Sequence, residues 1–305
     1  MSGGGSGSRR ILAWGFLFTL LFAAIYAFMP NLFRQVDLMN YDLLLRHFPD
    51  NHESGRVVIV DLDERTLKRY GQWPWPRYRL ADLLDRIAAA EPAVVALDMV
   101  FAEPDRTSAR RVLDDLSAFH GREVAIGRLP VDLSDNDGVL AETLTRGPFV
   151  LGNQFHFGNS GNSSEQCVLH PLKASFLRSG GRQEENRGIP EGAGLLCSLP
   201  MFSEKAAATG FLNFSPDGDG VARRLQLLIR YRGKVYPSLA LATVLKLKGT
   251  DSILLKEDGK SLQSLRFGTT SVAVDDRGQL LVRFRGPKRT HAYEIGRASC
   301  RERVY

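Results

Sequence analysis

Carboxylates gather at two points in the chain: Asp61 and Asp63 at the first, and Asp98, Glu103 and Asp105 at the second. Acids grouped in this way can hold a divalent cation, act as general acid and base, or accept hydrogen bonds from a cationic or hydroxylated ligand. They also cap helices and satisfy loop amides, which is the plainer use of Asp. Between the two groups stands Trp73-Pro74-Trp75-Pro76-Arg77, the most unusual string in the chain. Its prolines fix an extended approach to the segment that follows and splay two indoles onto nearby surface. Two uses fit: an aromatic ligand platform with Arg77 as an anion contact, or a hydrophobic plug at the start of a helix. The plug is the simpler.

Other chemistries lack their residues. Cys167, Cys197 and Cys300 show no CxxC or Cys/His spacing for zinc, and the six histidines form no HExxH pair. There is no Walker loop, dinucleotide fingerprint or GxSxG elbow. Asp217-Gly218-Asp219-Gly220 has the look of a calcium loop, but with Gly220 in sixth place the twelfth is Gln226 and the bidentate Glu is missing. A hairpin turn is the expectation there. The net charge of +6, from 40 basic and 34 acidic residues, is dispersed without a run of like charge, so no nucleic-acid partner is expected. No metal and no other cofactor is expected.

The acids fall where strands end. Val57-Val58-Ile59-Val60-Asp61-Leu62 is a β-branched run apolar on both faces, which suits a central strand of a parallel sheet. Leu80, Leu83, Leu84, Ile87 and Ala88 follow at helical spacing, and Val94 to Leu97 is the next apolar strand, completing a βαβ unit. In open α/β sheets, ligands bind outside the carboxyl ends of such strands. Thr107 is placed to cap a helix carrying Val112, Leu113, Leu116 and Phe119, which leads to a short strand at Val124-Ala125-Ile126 and another at Phe149-Val150-Leu151. Gly158 to Gly194 is a long loop excursion. Gly210 to Phe214 and Val221 to Tyr231 read as a hairpin, Pro237 as the first turn of a helix reaching Lys246, and Leu265 to Phe284 as an antiparallel meander.

The fold class expected is α/β: an open, mostly parallel sheet with flanking helices and an antiparallel hairpin and meander appendage, preceded by one transmembrane helix. Ile11 to Met29 is nineteen residues without a charge, just enough at about 1.5 Å per residue for the ~30 Å hydrocarbon layer. Arg9 and Arg10 before it put the N-terminus in the cytoplasm and the main domain outside. A cleaved signal peptide normally has a shorter apolar region and a small-x-small site, so the anchor is preferred. Val36 to Phe48 reads as a membrane-proximal helix. Outside the cytoplasm, Cys167 and Cys197 are free to form a disulfide across the loop excursion, the alternative being two unpaired thiols. The 305 residues allow one large domain or two modest ones, and 44% hydrophobic with 24% charged residues excludes wholesale disorder.

Val57 to Leu67, VVIVDLDERTL, looks like the opening motif of haloacid-dehalogenase-type phosphatases, in which the first Asp attacks phosphorus and the second is the acid/base. Glu64-Arg65 intrudes where those enzymes have a single Gly, and the later motifs are missing in order. A more extensive resemblance runs from about Asp37 to Tyr293. The N-terminal anchor, Tyr41-Asp42 before Leu43-Leu44, VVIVDLDERTL, the WPWPR string, ALDMVFAEPD (Ala96 to Asp105) and GFLNFSPDGDGVARRLQLLIRYRGKVYPSLALA (Gly210 to Ala242) together resemble the CHASE type-2 domain. That resemblance implies the extracytoplasmic sensory module of a bacterial receptor, followed in the family by further membrane helices. The family's output domains are adenylate or guanylate cyclases, histidine kinases, diguanylate cyclases or serine/threonine kinases. It brings no motif that defines a ligand.

The domain organisation expected is a cytoplasmic tail (1–10), a transmembrane helix (11–29), a juxtamembrane helix and connection (30–56) and an incomplete sensory domain (57–293). Residues 294–305 depart from the family pattern. EIGRASCRERV, back-translated, reproduces the start of a common DNA-sequencing adapter, so they are read as a non-native tail. Three functions follow: a membrane-anchored sensor of an unknown extracellular signal, without catalysis in these residues; an exported Mg²⁺-dependent hydrolase using Asp61 and Asp63; or an assembly scaffold. Homodimerisation through the membrane-proximal helix is expected of the receptor reading.

Overall fold

The computed structural model describes residues 5–48, 55–124, 127, 130, 134–158, 167–178, 188–258, 261–284 and 292–295. The chain divides into two compact units, residues 1–57 with 283–292, and residues 58–282 with 293–305. In the first, the apolar N-terminal run forms α1 (Gly5–Phe28), of which Arg10–Phe28 is long and apolar enough to cross a membrane. Pro30, which lacks an amide hydrogen and so suits a helix start, opens α2 (Pro30–His47). Phe33 packs back across this break, its ring 5.1 Å from Tyr26 and 5.9 Å from Phe22.

The second unit opens with β1 (Val58–Asp61), α3 (Glu64–Tyr70), α4 (Arg77–Ala88), β2 (Val95–Leu97), α5 (Ala109–His120), α6 (Asn136–Leu144) and β3 (Phe149–His156). Next come β4 (Lys173–Arg178), β5 (Gly194–Leu196), α7 (Pro200–Ser203), β6 (Ala208–Phe211), β7 (Arg224–Gln226), β8 (Leu228–Tyr231) and β9 (Lys234–Pro237). It continues with α8 (Leu239–Leu247), β10 (Ser252–Glu257), β11 (Leu262–Phe267), β12 (Thr270–Ala273) and β13 (Gln279–Leu281), and all but the first residue of β14 (Ala292–Ile295) belongs to it.

The fold is the expected mixed α/β class, with β3 as its axis. Residues 149–153 of that strand are all buried, because β2 and β6 flank it in parallel and helices cover the sheet. Registers Ala96↔Val150 and Val150↔Ala208 fix the three strands, and β5 adds antiparallel to the far end of β3. Leu80, Leu83 and Leu84 of α4 meet Leu140 and Leu144 of α6 over Phe149 and Leu151. Each such side chain contributes about 1.5–3 kcal/mol by leaving water. On α8, Leu241 and Leu245 join Ile253, Leu255, Leu265 and Phe267 in a second core. Gly210 is required where β6 meets α8, since a Cβ there would stand 2.6 Å from Leu239 Cα. A third cluster joins Phe155, Phe211, Tyr231 and Tyr236 to the Cys167–Cys197 disulfide. That disulfide spans 30 residues, a closure worth about 3–4 kcal/mol in the chain-entropy picture.

Several expectations are corrected. The run at Val57 to Leu62 is not a central strand: β1 pairs with β14, and Val58 to Val60 are exposed. A β-branched apolar run gives strand propensity but not position, and β3 takes the centre instead. Gly210 to Phe214 does not pair with the segment after Gly220, because β6 is drawn into the parallel sheet; the hairpin that forms is β8–β9. Pro237 ends β9, and Ser238 caps α8 by accepting the Leu241 N–H. The meander is β10–β11–β12 with β4 added in parallel, while β13 leaves it for β7. The strand expected at Val124-Ala125-Ile126 and the tail beyond Ile295, with Cys300, fall on residues outside those described, apart from Val124, which is not in a strand.

The Asp217–Gly220 turn is a clamp. Buried Arg223 donates to Asp219 at 2.9 and 2.8 Å and to Asp217 at 3.3 Å. The Arg223 hydrogen bonds, then the Val221 N–H, hold the Asp219 carboxyl down at about 2. A depressed carboxyl stabilises the fold above its unfolded value, near 4, and that contribution is lost as pH falls through the folded value. The expected outcome is that Asp219→Asn flattens the loss of stability between about pH 4 and 2. Urea unfolding at several pH values reads it, and identical slopes in variant and parent would contradict the clamp.

Candidate functional site

The loop after β2 is organised by one carboxylate. Asp105 Oδ2 accepts the Arg77 N–H at 2.7 Å and the Asn136 amide at 2.9 Å. Its Oδ1 accepts the Thr107 N–H and hydroxyl, both at 2.8 Å. Burial opposes ionisation here, but these four donors prevail and hold the Asp105 carboxyl below the ordinary range. The result ties the start of α4 to the start of α6 through the β2–α5 loop. It is also the reason Thr107 is not the cap of α5: its hydroxyl is used by Asp105, and Ser108 stands at the cap position.

Arg77 is the second member. Its guanidinium lies over the Phe101 ring, 4.5 Å from the centroid, and its Nε stands 3.8 Å from Asp137 Oδ1. Burial lowers the Arg77 pKa, opposed by Asp137 and Asp105. Burial likewise raises the Asp137 carboxyl, opposed by the Asp105 N–H and by Arg77. Asn136 completes the group, its N–H donating to Ser108 Oγ at 3.2 Å. Beside this network lies a cleft of about 640 Å³. Arg110, Arg111, Asp114 and Asp115 of α5 form one side, Asp135 and Asp137 another, and Leu199, Pro200 and Met201 an apolar wall.

Of the residues singled out in the sequence, Arg77 and Asp105 are joined here, and Glu103 is adjacent through its carbonyl, 3.5 Å from an Arg77 guanidinium nitrogen. The Glu103 carboxylate turns to Arg106 at 2.9 Å. Asp98 is exposed. Asp63 caps α3, accepting the Thr66 N–H and hydroxyl at 2.8 Å each, and these bonds lower its pKa. Asp61 ends β1, outside the β2–β3–β6 sheet. Trp75, 5% exposed, donates its indole N–H to the Gly71 carbonyl and packs against Tyr70, as the plug reading has it; Trp73 is 40% exposed. Among the described residues no group of three or more His, Cys, Asp or Glu is placed to hold a metal ion.

Asp135, Asn136 and Asp137 were not anticipated. The available signal was Ser134-Asp135-Asn136-Asp137 directly before Val139 and Leu140, an Asp at N-cap spacing from an apolar run. Asp135 does cap α6, accepting the Gly138 N–H at 3.2 Å.

A parallel core with a polar cleft beside the loop after β2 defines a mixed α/β module. The chain matches the family described as CHASE2 domain over residues 17–300, and it belongs to that family, whose members are extracytoplasmic sensory domains. Comparison with curated proteins and with solved structures gives no match.

Removing the Asp105 carboxylate leaves the Arg77 N–H buried without an acceptor and the Asn136 amide with only the Thr107 hydroxyl, at 3.2 Å. Asp105→Ala is therefore expected to cost about 3 kcal/mol, and Asp105→Asn, which keeps one acceptor oxygen, clearly less. Urea midpoints for the two variants check this; equal losses would show that the carboxylate is not the hub.

Proposed function

We propose that the chain is the sensory part of a bacterial transmembrane receptor, anchored by α1 in the cytoplasmic membrane with its N-terminus inside and its main domain outside. It binds a signal and relays it to a cytoplasmic output domain of the cyclase, histidine kinase, diguanylate cyclase or serine/threonine kinase type. The observation that carries the reading is the family membership, together with an apolar N-terminal helix that passes into a second helix after a single residue, Met29. A ligand that binds one of two conformations of the domain better than the other shifts their populations, and α2 is the route by which that shift reaches the membrane.

The reading includes no catalysis by these residues. Its support is that Asp63, the acid/base in the hydrolase alternative, is already used as a helix cap. Signalling through paired copies is also part of it: Val36, Met39 and Leu43 lie at helical spacing on α2 with their side chains exposed.

Two measurements test the proposal in bacteria. Alkaline phosphatase fused after Tyr305 is expected to be active and a green fluorescent protein fused at the same point dark; the reverse pattern would place the domain in the cytoplasm and end the reading. In the second, Met39→Cys is expected to give a crosslinked dimer on mild oxidation while Asp37→Cys, on the opposite face of α2, does not. Equal crosslinking would remove α2 as the pairing surface.

A further inference from the structure

The cleft beside α5 contains a charge arrangement that the sensory reading does not itself specify. Asp137 forms part of its lining yet is only 6% exposed. Its Oδ2 accepts the Asp105 N–H at 2.9 Å, while its Oδ1 accepts no hydrogen bond among the described residues. Arg77 Nε, 3.8 Å away, is too distant to donate and itself finds no acceptor among the described residues. Buried carboxylate oxygens are normally bonded, so an unbonded one on a residue that lines a cavity marks a place where a donor belongs.

The charges say which kind of donor. Arg110 and Arg111 stand one turn before Asp114 and Asp115 on α5, so these four balance along the helix. Arg77 is shared between Asp105 and Asp137, which leaves that trio with a negative excess, and Asp135 adds another. Leu199, Pro200 and Met201, which also line the cleft, carry uncharged, apolar side chains. A bare metal ion would need several converging acids, and among the described residues no such group exists. An ammonium group satisfies the open oxygen and the charge together, and a short hydrocarbon body satisfies the wall.

We infer that the cleft binds a small organic amine, whose ammonium group donates to Asp137 Oδ1 while its hydrocarbon body lies against Leu199, Pro200 and Met201. The inference rests on the sensory reading for its meaning, since it names the chemical class of the signal. Burial raises the Asp137 carboxyl, and an arriving cation favours its ionised form, so binding and ionisation reinforce each other.

The test is calorimetry on the full chain in detergent micelles, with 1,5-diaminopentane as the probe and 1,5-pentanediol as its neutral counterpart. The diamine is expected to bind and the diol not, and Asp137→Asn is expected to weaken the diamine about ten-fold or more. Should Asp137→Asn lose its circular-dichroism signal, Asp135→Asn carries the same comparison, because Asn still caps α6. No binding by the diamine, equal binding by the diol, or unchanged affinity in the folded variant would each overturn the inference. The fusion experiment above reports on topology alone, so failure here is distinguishable from failure of the sensory reading.

Discussion

Asp105 is the constraint on which the arrangement of the site depends. A carboxylate that has left water must recover its lost hydration from fixed donors, and the donors it finds belong to three separate stretches of chain: the start of α4, its own loop, and the start of α6. Satisfying one buried charge therefore fixes where two helices begin. Those helices then bring Leu80, Leu83, Leu84, Leu140 and Leu144 onto β3, so polar satisfaction and apolar packing enforce the same geometry. Arg77 is tied to this hub by its backbone N–H, which Asp105 accepts, and Asp137 by its carboxylate, which accepts the Asp105 N–H.

Legibility in the sequence followed the kind of force involved. Local periodicity gave α1, α2, α4 and the strand at Phe149, since apolar spacing is a property of neighbouring residues. The resemblance carried by VVIVDLDERTL, WPWPR and the Gly210 to Ala242 block identified the family, because those strings record a whole fold at once. What failed was pairing. Val57 to Leu62 and Phe149 to Leu151 are both apolar β runs, and nothing within either run says which is covered on two faces. The covering helices decide it, and they pack over β3.

The candidate site was half legible for a similar reason. Asp105 and Arg77 lie in strings that stand out by composition, whereas Asp137 is one acid among several in a short polar stretch. Its importance comes from a partner 60 residues earlier, Arg77, and from burial that the local pattern does not announce. The acids at Asp61 and Asp63 had the more familiar spacing, yet Asp63 is consumed by Thr66 three residues on. Short-range capping competes successfully for carboxylates because it needs no tertiary structure to form.

The disulfide has a reach beyond the loop it closes. Cys197 is followed by Ser198, whose Oγ accepts the Phe101 N–H at 3.0 Å, and by Leu199, whose N–H donates back to the Phe101 carbonyl at 2.9 Å. Phe101 in turn carries the Arg77 guanidinium on its ring. The apolar wall of the cleft is thus stitched to the charged side by a continuous series of short contacts that begins at a covalent crosslink. Chains with one and the same gene but made in oxidising and in reducing compartments would differ in how firmly that wall is seated, so the host chosen for production becomes a variable of the binding site itself.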